Sequence, residues 1–341
     1  MIHNRVRIVD VADALGLSTA TVSKVIHGNT EKISDETVKR VQQELERTGY
    51  IPNMAGILLA RNNSRIIGVV VNDNVKYEGR VLEDGFVMAS LNALSHEVNE
   101  KGYFLMIKTT ADISEIPVFA SMWNMDGLIL MGFCETDYEK LRNQMRISFV
   151  VYDGYFEKCS KVVNLVIDHY DGGYQAGQYF RELGHKKALC IADNFICMDK
   201  ERIEGFCAAF EPGVTMIWEI PKTEKERTRF YQDKLQELLE SEVTAVFAVS
   251  DFYALEFMRF LQGKNIKIPK DIQIIGFDDN MASRESNPAL TTIHQDASLR
   301  AKTAIECIEA MRDGVDCETE IVLPVGLIKR ESTEMLACQN S

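Results

Sequence analysis

The stretch "DVADALGLSTATVSKVIHG", residues 10–28, decides how the chain is read. Ile8, Val11, Ala12 and Leu15 fall at helical spacing on one face, and Gly16 follows where the chain must turn with positive φ. The spacing predicts a first helix that ends near Leu15. Ser18 then stands as N-cap of a second helix from Thr19 to His27, with Val22, Val25 and Ile26 as its inward stripe and Gly28 closing it. A third helix opens at Ser34, carries Asp35 and Glu36 in its first turn, buries Val38, Val41 and Leu45, and ends at Gly49. Ala12 permits close helix crossing, Gly16 the turn and Val22 a lock on the second helix, which is the helix-turn-helix pattern.

Removing the buried stripe leaves Thr19, Ala20, Ser23, Lys24 and His27 on the outer face of the second helix. Side chains this short let a helix axis sit deep in a major groove. Thr19 and Ala20 suit base edges or a thymine methyl, and Lys24 suits guanine O6 or N7. Thr21, Ser23, His27 and Asn29 suit phosphate oxygens better. Periodicity alone leaves two readings open, a DNA-binding head and a three-helix protein-interaction module with a solvated polar face.

The segment that follows, "YIPNMAGILLARNNSR" (residues 50–65), bears on that choice. From Pro52 to Arg61 it is shorter than the roughly 12 to 15 residues an isolated helix needs in water, and Gly56 weakens it by about 1 kcal/mol more. Met54, Ala55, Ile57, Leu58 and Leu59 are too apolar for an exposed linker. A second copy of the segment, or a nucleic-acid groove that takes an apolar wedge, would cover them.

Charge divides along the same boundary. Nine Lys and Arg against seven Asp and Glu up to Arg65 give +2, which leaves −15 for the rest of a 341-residue chain whose total is −13. An acidic body with a mildly basic head keeps its bulk off nucleic acid. Hydrophobic residues make up 46% and charged residues 26%, the balance of a globular chain long enough for two or three domains. No apolar run approaches the roughly 18 residues of a membrane span, and the N-terminal residues read as neither signal nor anchor, so a cytoplasmic protein without a membrane partner is expected. The eight cysteines are scattered, with no pair two residues apart and no neighbouring histidine cluster, so free thiols and no metal are expected.

Over residues 66–330, short aliphatic runs ("IIGVVV", "FLMIKT", "GLILMG", "SFVVYD", "ALCIA", "AVFAVS", "IQIIGF") alternate with amphipathic stretches such as Phe86 to Glu100, Gly173 to Leu183 and Phe252 to Gln262. The alternation predicts parallel sheets covered by helices on both faces, and so many strands suit two similar lobes better than one sheet. Such lobes place ligands beyond the carboxyl ends of their strands. The polar residues there are Asp168 and Asp171 after "NLVI", Asp251 after "AVFAVS", Asp278 after "IIGF" and Gln295 after "TTI". Tyr77, Tyr152, Trp123 and Trp218 offer aromatic faces, with Trp123 expected to pack in the core. The glycines of "GGYQAG" lack dinucleotide spacing and are read as helix packing.

From Val9 to Leu59, with "DVA", "TVSKVI", "GY" and "PN", the chain resembles the headpiece and hinge of the lactose-repressor family of bacterial transcription regulators. The likeness continues through "IIGVVV", "DGLILMG", "GGYQAGQYFRELGHKKA", "RIEGFCAAF", "AVFAVSD", "IPKDIQIIGFDD" and "LTTIHQD", and so spans nearly the whole chain. It implies a small all-α helix-turn-helix head over residues 1–50, a hinge helix and linker over 51–65, and a two-lobed α/β body over 66–335. That body resembles periplasmic binding proteins, with the chain crossing between lobes near 163, 292 and 323. By the same resemblance, Thr19, Ala20 and Lys24 discriminate operator sequence, Leu59 wedges into the minor groove, and Phe86 and Arg202 join the cleft residues that hold a small-molecule effector. Sugars are the commonest effectors of that family. A homodimer on pseudo-palindromic double-stranded operator DNA is implied, with hinges that order only when paired. The chain departs from the family's pattern at Gly56 and Ile57, and "NDNVKYEGRVLEDGF" replaces the usual Asn-Pro-Phe-Phe loop after the first strand of the body.

No phosphate-binding loop, nucleophile elbow or His-Glu-x-x-His pair is present, so neither an enzyme nor a bound cofactor is expected. An α/β solute-binding or sugar-converting protein is the alternative. The first would need an export signal and no DNA head, the second a paired acid and base in a cleft.

Overall fold

The computed structural model describes residues 6–26, 28–51, 64–133, 136–145, 147–154 and 162–335, in two compact units that divide at Ser64. The first unit has three helices: α1 (Ile8–Leu15), α2 (Thr19–Ile26) and α3 (Asp35–Thr48). Each boundary falls where side-chain chemistry puts it. Gly16 and Gly49 close α1 and α3 at φ 65° and 60°, and the hydroxyls of Ser18 and Ser34 accept the amides of Thr21 and Thr37 at the starts of α2 and α3. Val11, Ala12, Val22, Val25 and Val41 form the sealed centre, and Ile8, Leu15, Ile26, Val38 and Leu45 pack around it. Arg40 donates to the carbonyl of Leu15 at 3.1 Å and ties α3 to the end of α1.

The second unit is built on two six-stranded sheets. The first has the order β11-β5-β4-β3-β1-β2, all parallel, from β1 (Ile66–Val71), β2 (Phe104–Thr109), β3 (Gly127–Met131), β4 (Phe149–Tyr152), β5 (Val162–Ile167) and β11 (Glu320–Leu323). The second has the order β12-β10-β9-β8-β6-β7, from β6 (Lys187–Ala192), β7 (Val214–Glu219), β8 (Ala245–Ala248), β9 (Gln273–Asp278), β10 (Thr291–Gln295) and β12 (Val325–Ile328). Only β12 runs antiparallel, along β10. The inner strands β1, β3, β4 and β8 are buried along their whole length, as parallel strands under helices on both faces must be. The edge strands β2 and β7 are instead exposed or half-buried along nearly their whole length.

Helices α4 (Gly85–Glu100), α5 (Glu115–Met122), α6 (Thr136–Gln144) and α12 (Ala297–Arg312) belong to the first lobe; α7 (His169–Glu182), α8 (Cys197–Phe210), α9 (Glu224–Glu240), α10 (Asp251–Gly263) and α11 (Met281–Glu285) belong to the second. The chain therefore changes lobes three times: at Asp168 between β5 and α7, at Asp296 between β10 and α12, and at Pro324 between β11 and β12. The first two lie four to five residues beyond the positions that the resemblance implies. The principal core cluster includes residues of both lobes, and a second, around Ile116, Leu128, Tyr138 and Phe149, covers the other face of the first sheet. Trp123 departs from the core role expected of it: it caps α5 and is 44% exposed.

Candidate functional site

On α2, Thr19, Ala20 and Lys24 lie exposed side by side on the face opposite Val22 and Val25. Thr21 and Ser23 are half-buried at its flank. The Thr21 hydroxyl is already shared with that of Ser18 at 2.9 Å. Asn29 is exposed just past the helix, its amide donating to the carbonyl of Lys24 at 2.9 Å. His27 and Leu59 lie outside the described residues.

In the body, each sheet has its first strand inside the order, so connections leave in opposite directions at β1/β3 and at β6/β8 and open a crevice at the carboxyl ends. The two crevices face each other and enclose a cleft of about 290 Å³. Asn72, Asn74, Lys76 and Tyr77 reach it from the loop after β1, and Tyr152 and Asp153 from the end of β4. Asp193 and Asn194 reach it from the end of β6, and Ser250 from the end of β8. Of the expected cleft residues, Phe86, Arg202, Asp278 and Gln295 line it.

The other three are placed elsewhere. Asp168 is an exposed N-cap of α7 that accepts the amide of Asp171, and Asp171 accepts from Gln175 Nε2 at 2.6 Å. The end of β5 is a lobe crossing and not a crevice, so its carboxylates hold a helix start. Asp251 is fully buried, accepting the Thr292 hydroxyl at 2.5 Å and the Asn280 amide at 3.0 Å. It joins β10 and the β9–α11 turn from inside the core. Conversely, Lys76, Tyr77, Asp84, Asp193, Asp199 and Tyr253 line the cleft. The rule that names Asp278 also points to Asn72 and Asp193, each directly after an aliphatic run; no sequence pattern announces Lys76 or Asp84.

A hydrogen-bonded path runs behind the cleft from one lobe to the other. Arg202, 5% exposed, stacks its guanidinium 3.7 Å over the Phe277 ring, donates from Nη1 to the Val249 carbonyl at 2.5 Å and from Nε to His169 Nδ1 at 3.2 Å. Because Arg202 can only donate, His169 Nδ1 accepts and its Nε2 carries the proton toward Asp153 Oδ1 at 3.0 Å. Burial holds this imidazole below its usual pKa despite the Asp153 carboxylate, which fits the neutral tautomer. Arg300 Nη2 reaches the same Asp153 oxygen at 2.7 Å, and its Nη1 donates to Gln295 Oε1 at 3.3 Å. Gln295 Nε2 donates in turn to Asp278 Oδ1 at 2.7 Å. Burial alone would raise Asp153, but Arg300 and His169 outweigh it and hold the carboxyl well below the usual range.

The groups facing the cavity are perturbed as well. Burial pushes Asp199 up to about 6 against the pull of Arg202 and Lys76, and pushes Asp278 well above its ordinary value. Burial also works against the Lys76 ammonium, but Tyr77, Tyr253, Asp193 and Asp199 around it more than compensate and its pKa is raised. Asp153 from the first lobe and Cys197 and Asp278 from the second hold φ of 55°, 50° and 128°, a concentration of left-handed backbone around the cavity of the kind found at functional sites.

Comparison with known proteins agrees with this division. Residues 7–53 match the family model "Bacterial regulatory proteins, lacI family" and residues 178–333 the model "Periplasmic binding protein-like domain". The chain is 31% identical over 324 residues to the HTH-type transcriptional repressor PurR of Vibrio atlanticus, covering 90% of this chain and 92% of the relative. It is 29% identical over 349 residues to the HTH-type transcriptional regulator DegA of Bacillus subtilis, covering 96% and 98%. The crystal structure of the lac repressor dimer bound to operator and the anti-inducer ONPF superposes with a TM-score of 0.81 at 22% identity, over 96% of this chain and 99% of that one, which shows a shared fold.

Proposed function

This chain belongs to the lacI family of bacterial regulatory proteins, and from that premise we propose that it is a transcriptional repressor whose grip on operator DNA is set by a small molecule in the cleft of its body. A homodimer reads a pseudo-palindromic operator, one half-site for each head. Thr19, Ala20 and Lys24 address base edges, Thr21, Ser23, His27 and Asn29 the phosphates, and Leu59 the minor groove. Phe86, Arg202, Asp278 and Gln295 hold the effector, with a sugar or sugar derivative as the first class to try. Asp168, Asp171 and Asp251 keep the fold around them in register.

The observation that carries this reading is the path Arg202–His169–Asp153–Arg300–Gln295–Asp278, which begins and ends on cleft-lining side chains and passes through both lobes. A ligand that contacts Arg202 and Asp278 prefers one arrangement of that path over another, and with it one angle between the lobes. Shifting operator occupancy tenfold needs a preference of about 1.4 kcal/mol, and a full switch several times that. The lobe angle then governs whether two hinge segments meet on the duplex. Relatives of the chain are repressors and regulators, and the conversion of a substrate plays no part in this reading.

Selection of bound duplexes from a randomised pool by the purified chain tests it. Two half-sites related by two-fold symmetry are expected. Lys24→Ala should relax choice at one base position of each half-site by about 1 to 3 kcal/mol; uniform loss on every duplex would assign Lys24 to the backbone, and no enrichment at all would overturn the reading.

A further inference from the structure

The loop after β1 reaches from the first lobe to the second. Both of its ends are fixed in the first lobe: the Asn72 amide donates to the Met131 carbonyl at 2.9 Å and its Nδ2 to the Gly132 carbonyl at 2.7 Å, Val81 is buried, and Asp84 caps α4. Between these ends, one turn of 3-10 helix (Val75–Tyr77) is started by Asn74, whose Oδ1 accepts the Lys76 amide at 3.2 Å. Glu78 and Gly79 then reverse the chain at φ 50° and 77°, and the Arg80 amide donates to the Tyr77 carbonyl at 2.9 Å. The tip is shaped by its own backbone bonds, which leaves the exposed side chains of Glu78 and Arg80 for contacts elsewhere.

Those contacts fall on the start of α9. Glu78 Oε2 accepts the Glu224 amide at 3.3 Å, and Arg80 Nη2 lies 3.8 Å from Glu224 Oε2. The first amides of a helix have no partner within it. Thr223 stands at the N-cap but does not supply one, because its hydroxyl donates to Glu226 Oε2 at 2.6 Å instead. A carboxylate of the other lobe takes that place, at the helix end where negative charge is favoured.

Position gives this contact its leverage. The three crossings adjoin β5 and β11 at one edge of the first sheet and β10 and β12 at one edge of the second. The loop leaves β1, toward the opposite edge of the first sheet, and α9 follows β7, the opposite edge of the second. A bond there acts on the longest arm about the crossings and opposes their swing where the lobes part furthest. It also adjoins the cleft: Lys76, two residues before Glu78, and Lys222, two residues before Glu224, both line it.

We propose that residues 74–80 form a latch, in which Glu78 and Arg80 close on the start of α9 across the mouth of the cleft, hold the two lobes together, and open to admit a small molecule. The latch belongs to the lobes themselves, and the repressor reading can stand without it.

Cys197 lines the cleft and serves as a built-in reporter of its opening. In the full chain, alkylation of Cys197 by N-ethylmaleimide, followed by mass spectrometry of its peptide, should run about two- to fivefold faster in Glu78→Ala and in Arg80→Ala than in the parent. Glu83→Ala, which removes an exposed carboxylate of the same loop, should leave the rate unchanged. Hydrogen exchange at the Glu224 amide should quicken in Glu78→Ala by about the same factor. Unfolding curves should match the parent's, since all three side chains are exposed. Unchanged exchange would show that the contact is not made in solution, faster exchange with unchanged alkylation that it does not hold the lobes, and an equal rise in Glu83→Ala that charge alone is at work. Each of these results would overturn the proposal.

Discussion

Asp251 has no cation beside it among the described residues, and its only donors are the Thr292 hydroxyl and the Asn280 amide, with Ser283 close by. Burial pushes its pKa up to about 7. The carboxyl is thus more readily protonated in the folded chain than in the unfolded one, where it titrates near 3.8. Stability from this group is complete below about pH 4 and is lost as pH rises through about 7. Asp251→Asn should therefore remove a pH-dependent loss of roughly 3 kcal/mol between pH 4 and 8, measured as the difference in urea midpoints of variant and parent at the two ends. A parallel pH profile in the two proteins would show that Asp251 ionises freely. The same residue marks the limit of reading a site from sequence. Position after a strand finds Asp278 and Asp251 equally, and only tertiary packing separates the carboxyl that faces a cavity from the one sealed beneath Leu290 and beside Gly276. Lys76 and Asp84 were illegible for the opposite reason: their loop lies between β1 and α4 with no periodicity to fix its direction.

Helices α7 and α8 cross so closely that their backbones touch. A Cβ on Gly173 would lie 1.8 Å from the carbonyl oxygen of Arg202, on Gly177 2.3 Å from that of Phe206, and on Gly205 2.0 Å from that of Tyr170. These neighbours are main chain and cannot rotate aside. Gly173→Ala should cost at least about 1 to 3 kcal/mol in chemical denaturation. It should also weaken effector binding, since the residue forced to move is Arg202; unchanged stability would mean that the crossing is looser than described. The glycine run "GGYQAG" is legible as packing because its spacing repeats along one helix face. The head was more legible still. Gly16, Ser18, Ser34 and Gly49 each act within a few residues of their own position, and local chemistry of that range is what a sequence displays. The helix α2 is described as far as Ile26, and its expected last residue, His27, lies outside the described residues.

For the whole molecule, the expectation from Pro52 to Arg61 remains open to direct measurement, since residues 52–63 fall outside those described. Hydrogen exchange on the full chain should show the amides of 53–60 exchanging rapidly alone and protected by at least about 100-fold on an operator duplex; protection already present in the free chain would refute folding coupled to DNA. The two-lobed body was legible as alternation of runs and helices, but the sheet orders were not, because strand order is set by crossovers that leave no periodic trace. Those crossovers carry a consequence for how such a molecule changes its allegiance. The three connections at Asp168, Asp296 and Pro324 adjoin strands that pair within their sheets, β5 beside β11 in the first and β10 beside β12 in the second, and lead into α7, α12 and β12. Bound at three adjacent pivots, the lobes have little freedom except to swing about a shared axis. The lock can then be recut for a new key by exchanging side chains in the opening, while the bolt it throws stays the same.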